Sequence, residues 1–195
     1  MIIRFNTLKT VQAAAVLLKL ERHRKMSRLR LLKLLYIADR QSIAETLRPI
    51  TGDDVVAMEN GPVLSKTYRL ICGEARKDAS IRKDGPIWDS HIAKDGKRDH
   101  VLMQDPGNDL LSENEVQRLH AVSAFWRGKK DFAIADETHG FAEWVKNQPA
   151  EGGREDISLH DILVALGMAN MEQSLTEEAE DDEQMADLLS SVASK

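Results

Sequence analysis

The stretch RPITGDDVVAMENGPVLSKTYRLI, residues 48 to 71, constrains this chain more than any other. It separates a leucine-rich segment of helical spacing from a second segment that resumes that spacing. Arg48-Pro49 ends the first helix, because proline pushes the residue before it out of the α region. Thr51-Gly52-Asp53 is a turn signal, Val55-Val56-Ala57-Met58 has strand character, and Asn60-Gly61-Pro62 is a second turn. Ser65 stands near the start of a helix to about Ala75, with Leu64, Tyr68 and Ile71 at helical spacing. A helical protein must therefore fold around a short strand and an abrupt corner here.

The flanking sequence supplies the helices. Leu8 to Glu21 reads as one, capped by Asn6 or Thr7, with Val11, Ala14, Ala15 and Leu18 along one side. After the link ERHRKM, Ser27 caps a second helix reaching about Leu47. In projection Leu31, Leu32, Leu35 and Ala38 share its apolar face, and Arg30, Lys33, Arg40 and Gln41 form an exposed basic one. Ile87 to Ala93 and His100 to Gln104 are predicted strands joined through Asp95-Gly96, a hairpin signal. With residues 54 to 58 they make a small antiparallel sheet of about three strands. Ser112-Glu113-Asn114-Glu115 fits a capping box for a helix to about Trp126. Asp131 is a cap for another helix, Gly140 to Gln148 form a short helical piece, and Ser158 to Asp161 cap a last helix ending by Met168 or Met171. The predicted class is α+β and mainly helical, a single domain with its sheet packed on helices.

At 195 residues the chain suits one domain plus an appendage, enough to bury roughly 70% of its unfolded surface. The richest apolar run, Leu29 to Ala38, carries Arg30 and Lys33 and falls well short of the ~20 residues of a membrane span. The N-terminus lacks a secretory pattern. One cysteine, Cys72, leaves no intrachain disulfide and no cysteine-based zinc site. A cytoplasmic location is the expectation. The net charge of -5 hides an asymmetry between a basic first fifty residues and an acidic end containing EEAEDDE, Glu177 to Glu183. Such imbalance suits nucleic acid, an acidic partner, or a tail folded back over a basic face; solvation alone is the plainer reading. Residues 172 to 195 have no core-sized apolar face and are expected to form a mobile tail, with only Met185, Leu188 and Leu189 at amphipathic spacing.

Candidate chemistry is sparse. Gly61-Pro62 suits a strand-to-helix corner, and such a corner also aims helix N–H groups as anion sites do. The phosphate-loop and dinucleotide glycine patterns are missing, which favours geometry over ligand binding. Asp39 falls on the apolar arc of its helix, as a general acid or base or as a structural pair. The histidines, His23, His91, His100, His120, His139 and His160, show no metal-ligand spacing. His139, after Asp136 and Glu137 and before Trp144, needs a partner from elsewhere in the fold to make an acid–base site. A hydrolase or nuclease built on Asp39 and His139 is thus the third reading. The basic helices lack any helix-turn-helix, zinc-finger or RNP-type signature, so nucleic-acid binding is unsupported.

Together, KLLYIADR (33 to 40), RPITGDDVVAMENGPVLSKTY (48 to 68), LSENE (111 to 115) and ETHGFAEW (137 to 144) resemble the Panacea domain, the SocA-like antitoxin family. The resemblance covers roughly residues 5 to 170, taken as a domain at 1 to 171 followed by the acidic tail. It implies a mainly helical domain without a catalytic centre or cofactor, encoded beside a small toxin that it neutralises by protein–protein contact. The family-like positions are Tyr36, Asp39, Gly52, Gly61, Pro62, Ser65, Tyr68, His139 and Trp144, with Asp39 and Tyr68 holding helix and corner together. Gly140 stands where the pattern has an acid, and no proline precedes Trp144. The leading expectation is an antitoxin of a type II toxin–antitoxin pair whose partner is a cognate toxin protein, met through Arg30, Lys33 and Arg40 and the tail. The alternative is a proteolytic adaptor or phage-associated regulator, bringing a protease or chaperone machine as a further partner.

Overall fold

The computed structural model describes residues 4–171; the expectations for the acidic tail lie outside the described residues. In chain order the elements are α1 (Thr7–Lys19), β1 (Lys25–Ser27), α2 (Arg28–Thr46), β2 (Val55–Met58), β3 (Gly61–Leu64), α3 (Ser65–Cys72) and α4 (Gly85–His91). Then follow β4 (Ile92–Asp95), β5 (Asp99–Leu102), α5 (Glu113–Trp126), α6 (Asp131–His139), α7 (Ala142–Lys146), β6 (Glu155–Ile157) and α8 (Leu159–Ala165). The class is the predicted α+β, dominated by helices.

Helix α2 is the axis of the molecule, with α1, α3, α5, α6, α8, β1 and β3 packed around it. Every residue from Arg30 to Asp39 is buried. Its leucines, Leu31, Leu32, Leu34 and Leu35, each stabilise the fold by about 1.5–3 kcal/mol relative to exposure. A helix surrounded on all sides carries no solvent stripe. That overturns the expected exposed basic face: Lys33 is wholly buried and Arg30 nearly so. The Arg30 guanidinium donates to the carbonyls of Trp126 and Lys129 and to the Glu21 carboxylate, so its charge is answered inside the protein.

Caps fix where the helices begin. Asn6 accepts from Lys9 N–H and Ser27 from Arg30 N–H. Ser112 with Glu115, and Ser158 with Asp161, form complete capping boxes. Asp131 does not cap α6 but is its first residue, and its carboxylate accepts the Ser27 hydroxyl at 2.5 Å. Residues 87 to 91 are helical where a strand was predicted. Pro86 favours a first helical turn, and Gly85, Trp88 and Ile92 are buried at helical spacing.

The strands form two antiparallel sheets, so the predicted residues 54–58 and the hairpin at 92–102 do not share one. The first sheet has the order β1-β5-β4, with Met26 opposite His100 and Lys94 opposite His100 on the other side. The second has the order β3-β2-β6 and pairs Val56 with both Val63 and Asp156. Sheet β3-β2-β6 and helices α2, α3, α6, α7 and α8 carry the candidate site.

Candidate functional site

Segment 48–67 is held by buried side chains that reach it from both directions. Leu47 ends α2 in the left-handed conformation and Ser42 donates its hydroxyl to the Arg48 carbonyl at 2.6 Å. One turn back, Asp39 accepts from Ile50 N–H at 3.1 Å, Thr51 N–H at 3.2 Å and the Thr51 hydroxyl at 2.5 Å. Burial pushes the Asp39 carboxyl up to about 7, against those hydrogen bonds that favour its charged form. Asp39 is thus the structural carboxylate of the two readings open for it.

Asp53 performs the next fixation. Its carboxylate accepts from Lys66 N–H, Thr67 N–H and the Thr67 hydroxyl at 2.7–2.9 Å, capping α3 from across the loop. Burial raises its pKa, and these donors pull it back down. The N–H groups that would make this helix start an anion site are thereby taken by an internal carboxylate.

The corner itself is a two-residue hairpin at Glu59-Asn60, so Gly61 and Pro62 already lie in β3, opposite Met58 and Ala57. Gly61 has φ +91°, and a Cβ there would lie 2.4 Å from Thr138 Oγ1, 3.0 Å from Lys33 Nζ and 3.3 Å from His139 Cδ2. Only glycine lets α2 and α6 approach the strand so closely. Lys33 donates its ammonium to the Pro62 carbonyl at 2.7 Å, and burial lowers its pKa to about 7.

ETHGFAEW joins the same structure. Buried Glu143 of α7 accepts the Tyr36 hydroxyl at 2.6 Å, and Arg40 Nε and a terminal guanidinium nitrogen at 2.6 and 3.2 Å. The Arg40 guanidinium also lies over the Phe141 ring, 4.4 Å from its centroid. Burial first, and then the Glu143 charge, raise the Tyr36 pKa well above the ordinary tyrosine value. Trp144 donates its indole N–H to the Met58 carbonyl at 3.0 Å, and His139 stacks on the Trp144 ring at 4.3 Å. Among the described residues His139 Nε2 is buried without a hydrogen-bond partner.

These parts enclose an open cleft of about 640 Å³ whose lining includes Tyr36, Asp39, Arg40, Gly52, Asp53 and Ser65. Ile43, Val56, Ile157 and Ile162 give it apolar wall, and ion pairs Lys66–Asp54 and Arg69–Asp78 are at its rim. Arg154 also lines it and donates to the Ser65 hydroxyl at 3.0 Å. Asp39 is saturated by the 50–51 loop and makes no bond to His139, which removes the Asp39–His139 acid–base site. Asp136 and Glu137 are exposed, and neither bonds to His139. Among the described residues no cluster of His, Cys, Asp and Glu has a metal-binding arrangement.

The predicted positions divide unevenly. Tyr36, Asp39, Gly52 and Ser65 meet at the cleft, and Gly61, Pro62, His139 and Trp144 brace the hairpin behind it. Tyr68 stands apart, half-buried beside Cys72, so it does not join Asp39 in holding the corner. Of the three expected basic contacts, only Arg40 reaches the cleft, and it arrives already paired. Glu143 and Arg154 were not singled out in the sequence, and Thr51 and Asp53 only as turn residues. A usable signal existed for Glu143: Tyr36 and Arg40 are four residues apart on one side of α2 and share a need for a carboxylate. Asp53 offered none, since its helix begins twelve residues later.

The fold and cleft define a class: a helical α+β domain whose buried polar side chains hold a shaped surface together. The chain belongs to the antitoxin SocA-like, Panacea domain family, whose model matches residues 31–145. A search of curated proteins and of solved structures returned no match. Membership suggests an antitoxin role in a toxin–antitoxin system, that of a non-enzymatic regulator. No helix among the described residues is long and apolar enough to cross a membrane.

Proposed function

We propose that this chain is the antitoxin of a type II pair and neutralises a cognate toxin protein by direct binding, with the cleft beside β6 as the contact. One observation carries the reading. Residues from separate family-like segments converge on a single open cleft, yet Asp39, Asp53, Tyr36 and Arg40 direct their polar atoms inward to one another's segments. Side chains consumed in this way preorganise a shape, and a rigid concave surface favours docking because little ordering entropy remains to be lost. Arg154 is the exception: among the described residues its guanidinium meets only the Ser65 hydroxyl and makes no ion pair, which suits it to a carboxylate on the partner.

A stable complex needs about 800 Å² from each partner, with arginine or aromatic anchors near its centre. The test is co-expression with the small protein encoded beside this chain, read as growth rescue and as affinity of the purified pair. Rescue with a measurable complex, weakened about tenfold or more by Arg154→Glu, is expected. Rescue by no adjacent product would remove the antitoxin reading, and a complex indifferent to Arg154→Glu would move the contact off the cleft.

A further inference from the structure

The turn between α5 and α6 presents the most aromatic exposed surface of the described chain. Phe125 is 68% exposed and Phe132 62%, while the next ring inward, Trp126, is buried. Between the two phenylalanines in the chain stand Arg127, Lys129 and Lys130, all exposed and none paired with a carboxylate among the described residues. The Lys129 ammonium lies over the Phe125 and Trp126 rings, 4.6 and 4.4 Å from their centroids. Asp131 is turned away into contact with Ser27 and Arg30, which leaves Asp136 and Glu137 one turn further along α6 as the nearby exposed acids. Phe125 and Phe132 thus flank three cations along the chain, and both rings face solvent.

We propose that this face is covered by the chain's own segment Glu177 to Leu189. Its sequence is complementary in order and in kind: Glu177, Glu178, Glu180, Asp181, Asp182 and Glu183 are followed after Gln184 by Met185 and, past Asp187, by Leu188 and Leu189. The acidic run answers Arg127, Lys129 and Lys130, and the apolar side chains answer the phenylalanine rings. Methionine and leucine are well suited to cover an aromatic edge.

The chain is long enough. Helix α8 packs Ile162 and Leu163 on Ile43 toward the end of α2, whereas Asp131 is bonded to Ser27 at its start. Those two points on α2 are separated by about 24 Å at 1.5 Å per residue. Glu177 to Glu183 follow Met171 by enough chain to span about 20–40 Å when extended. The inference is independent of the cleft and of the antitoxin reading, since it concerns only how this chain covers its own surface.

Zero-length carbodiimide cross-linking of the dilute full chain, with the linked peptides mapped, tests it. Amide links from the 177–183 carboxylates to Lys129 and Lys130 are expected, within one molecule, and far above links to the exposed Lys77, Lys83 and Lys97. Raising salt, or substituting Phe125→Ser with Phe132→Ser, should lower that yield several-fold. Exposed rings of this kind carry little folding stability, and Phe132→Ser alone serves if the pair disturbs the fold. Equal linkage across the exposed lysines would overturn the inference. So would links found only between two molecules, or a yield unchanged by the serine substitutions.

Discussion

Lys33 and Asp39, six residues apart on α2, clamp opposite ends of one segment: Asp39 receives Ile50 and Thr51, and Lys33 holds the Pro62 carbonyl. Everything between, the turn at Gly52 and strands β2 and β3, is thus suspended from a single buried helix. Asp39→Ala orphans two backbone N–H groups and the Thr51 hydroxyl in a buried setting. The cost is on the order of 1–3 kcal/mol for each donor left unsatisfied. A lower urea midpoint, together with faster amide exchange over residues 50 to 56, is the expected result. Loss of stability without that local opening would argue against the clamp.

The same two residues make stability depend on pH in opposite ways. Lys33 has its pKa lowered from 10.5 to about 7. Between those values the unfolded chain binds a proton that the folded chain sheds, so this contribution rises with pH and disappears as pH falls through about 7. Asp39 has its pKa raised from 3.8 to about 7, so the folded chain keeps the extra proton in that range. Its contribution is full below 3.8 and is lost as pH rises through about 7. Lys33→Met removes the upper limb and Asp39→Asn the lower. Urea midpoints of wild type and Lys33→Met should diverge steadily from pH 7 to 10, with a slope of up to about 1.4 kcal/mol per unit. Parallel curves there would show that the buried amine keeps an ordinary pKa.

Glu143 ties α7 to α2 through Tyr36 and Arg40, and its removal leaves a half-buried guanidinium and a buried hydroxyl unanswered. Glu143→Ala is expected to cost about 3–5 kcal/mol, as breaking one side of a buried pair does. Tyr36→Phe removes a single hydrogen bond and should cost about 1 kcal/mol. In a double-mutant cycle the Tyr36→Phe effect should shrink toward zero once Glu143 is alanine. Additive effects would mean that the 2.6 Å contact contributes nothing of its own.

Local signals in the sequence were legible where a side chain bonds its own neighbours. Asn6, Ser27, Ser112 and Ser158 cap the helices at the places their residue types and spacing indicate. Exposure was not legible on α2, because helical periodicity records one apolar stripe and says nothing of a second layer covering the other side. Arg30 meets Trp126 and Lys129 carbonyls from the far end of α5, contacts separated by nearly a hundred residues. Strands β1 and β6 were missed for a related reason: each is three residues long and buries one side chain, Met26 or Ile157, which leaves no alternation to read. At the site, Asp39 and Gly52 stood out through local rules, whereas Glu143 and Asp53 acquire their roles only when distant segments meet.

Gly52 offers the sharpest separation of backbone conformation from packing. It has φ +68°, and a Cβ there would lie 2.5 Å from the Arg4 carbonyl oxygen, in a place fixed by the Asn6 N–H to Thr51 carbonyl bond at 3.2 Å. Gly96 shares the left-handed conformation at φ +71° but has nothing within 4 Å of its would-be Cβ. Gly96→Ala should therefore show only the conformational penalty, about 1–2 kcal/mol. Gly52→Ala adds a backbone collision that no side-chain rotation relieves, and overpacking of that kind adds typically about 1–3 kcal/mol. The two alanine variants, compared by urea denaturation, should differ by that second amount, with the chain's first turn near Asn6 loosened only in Gly52→Ala. Equal destabilisation would show that the strand of contacts between residues 4–6 and 51–52 yields freely, and that the corner is set by α2 alone.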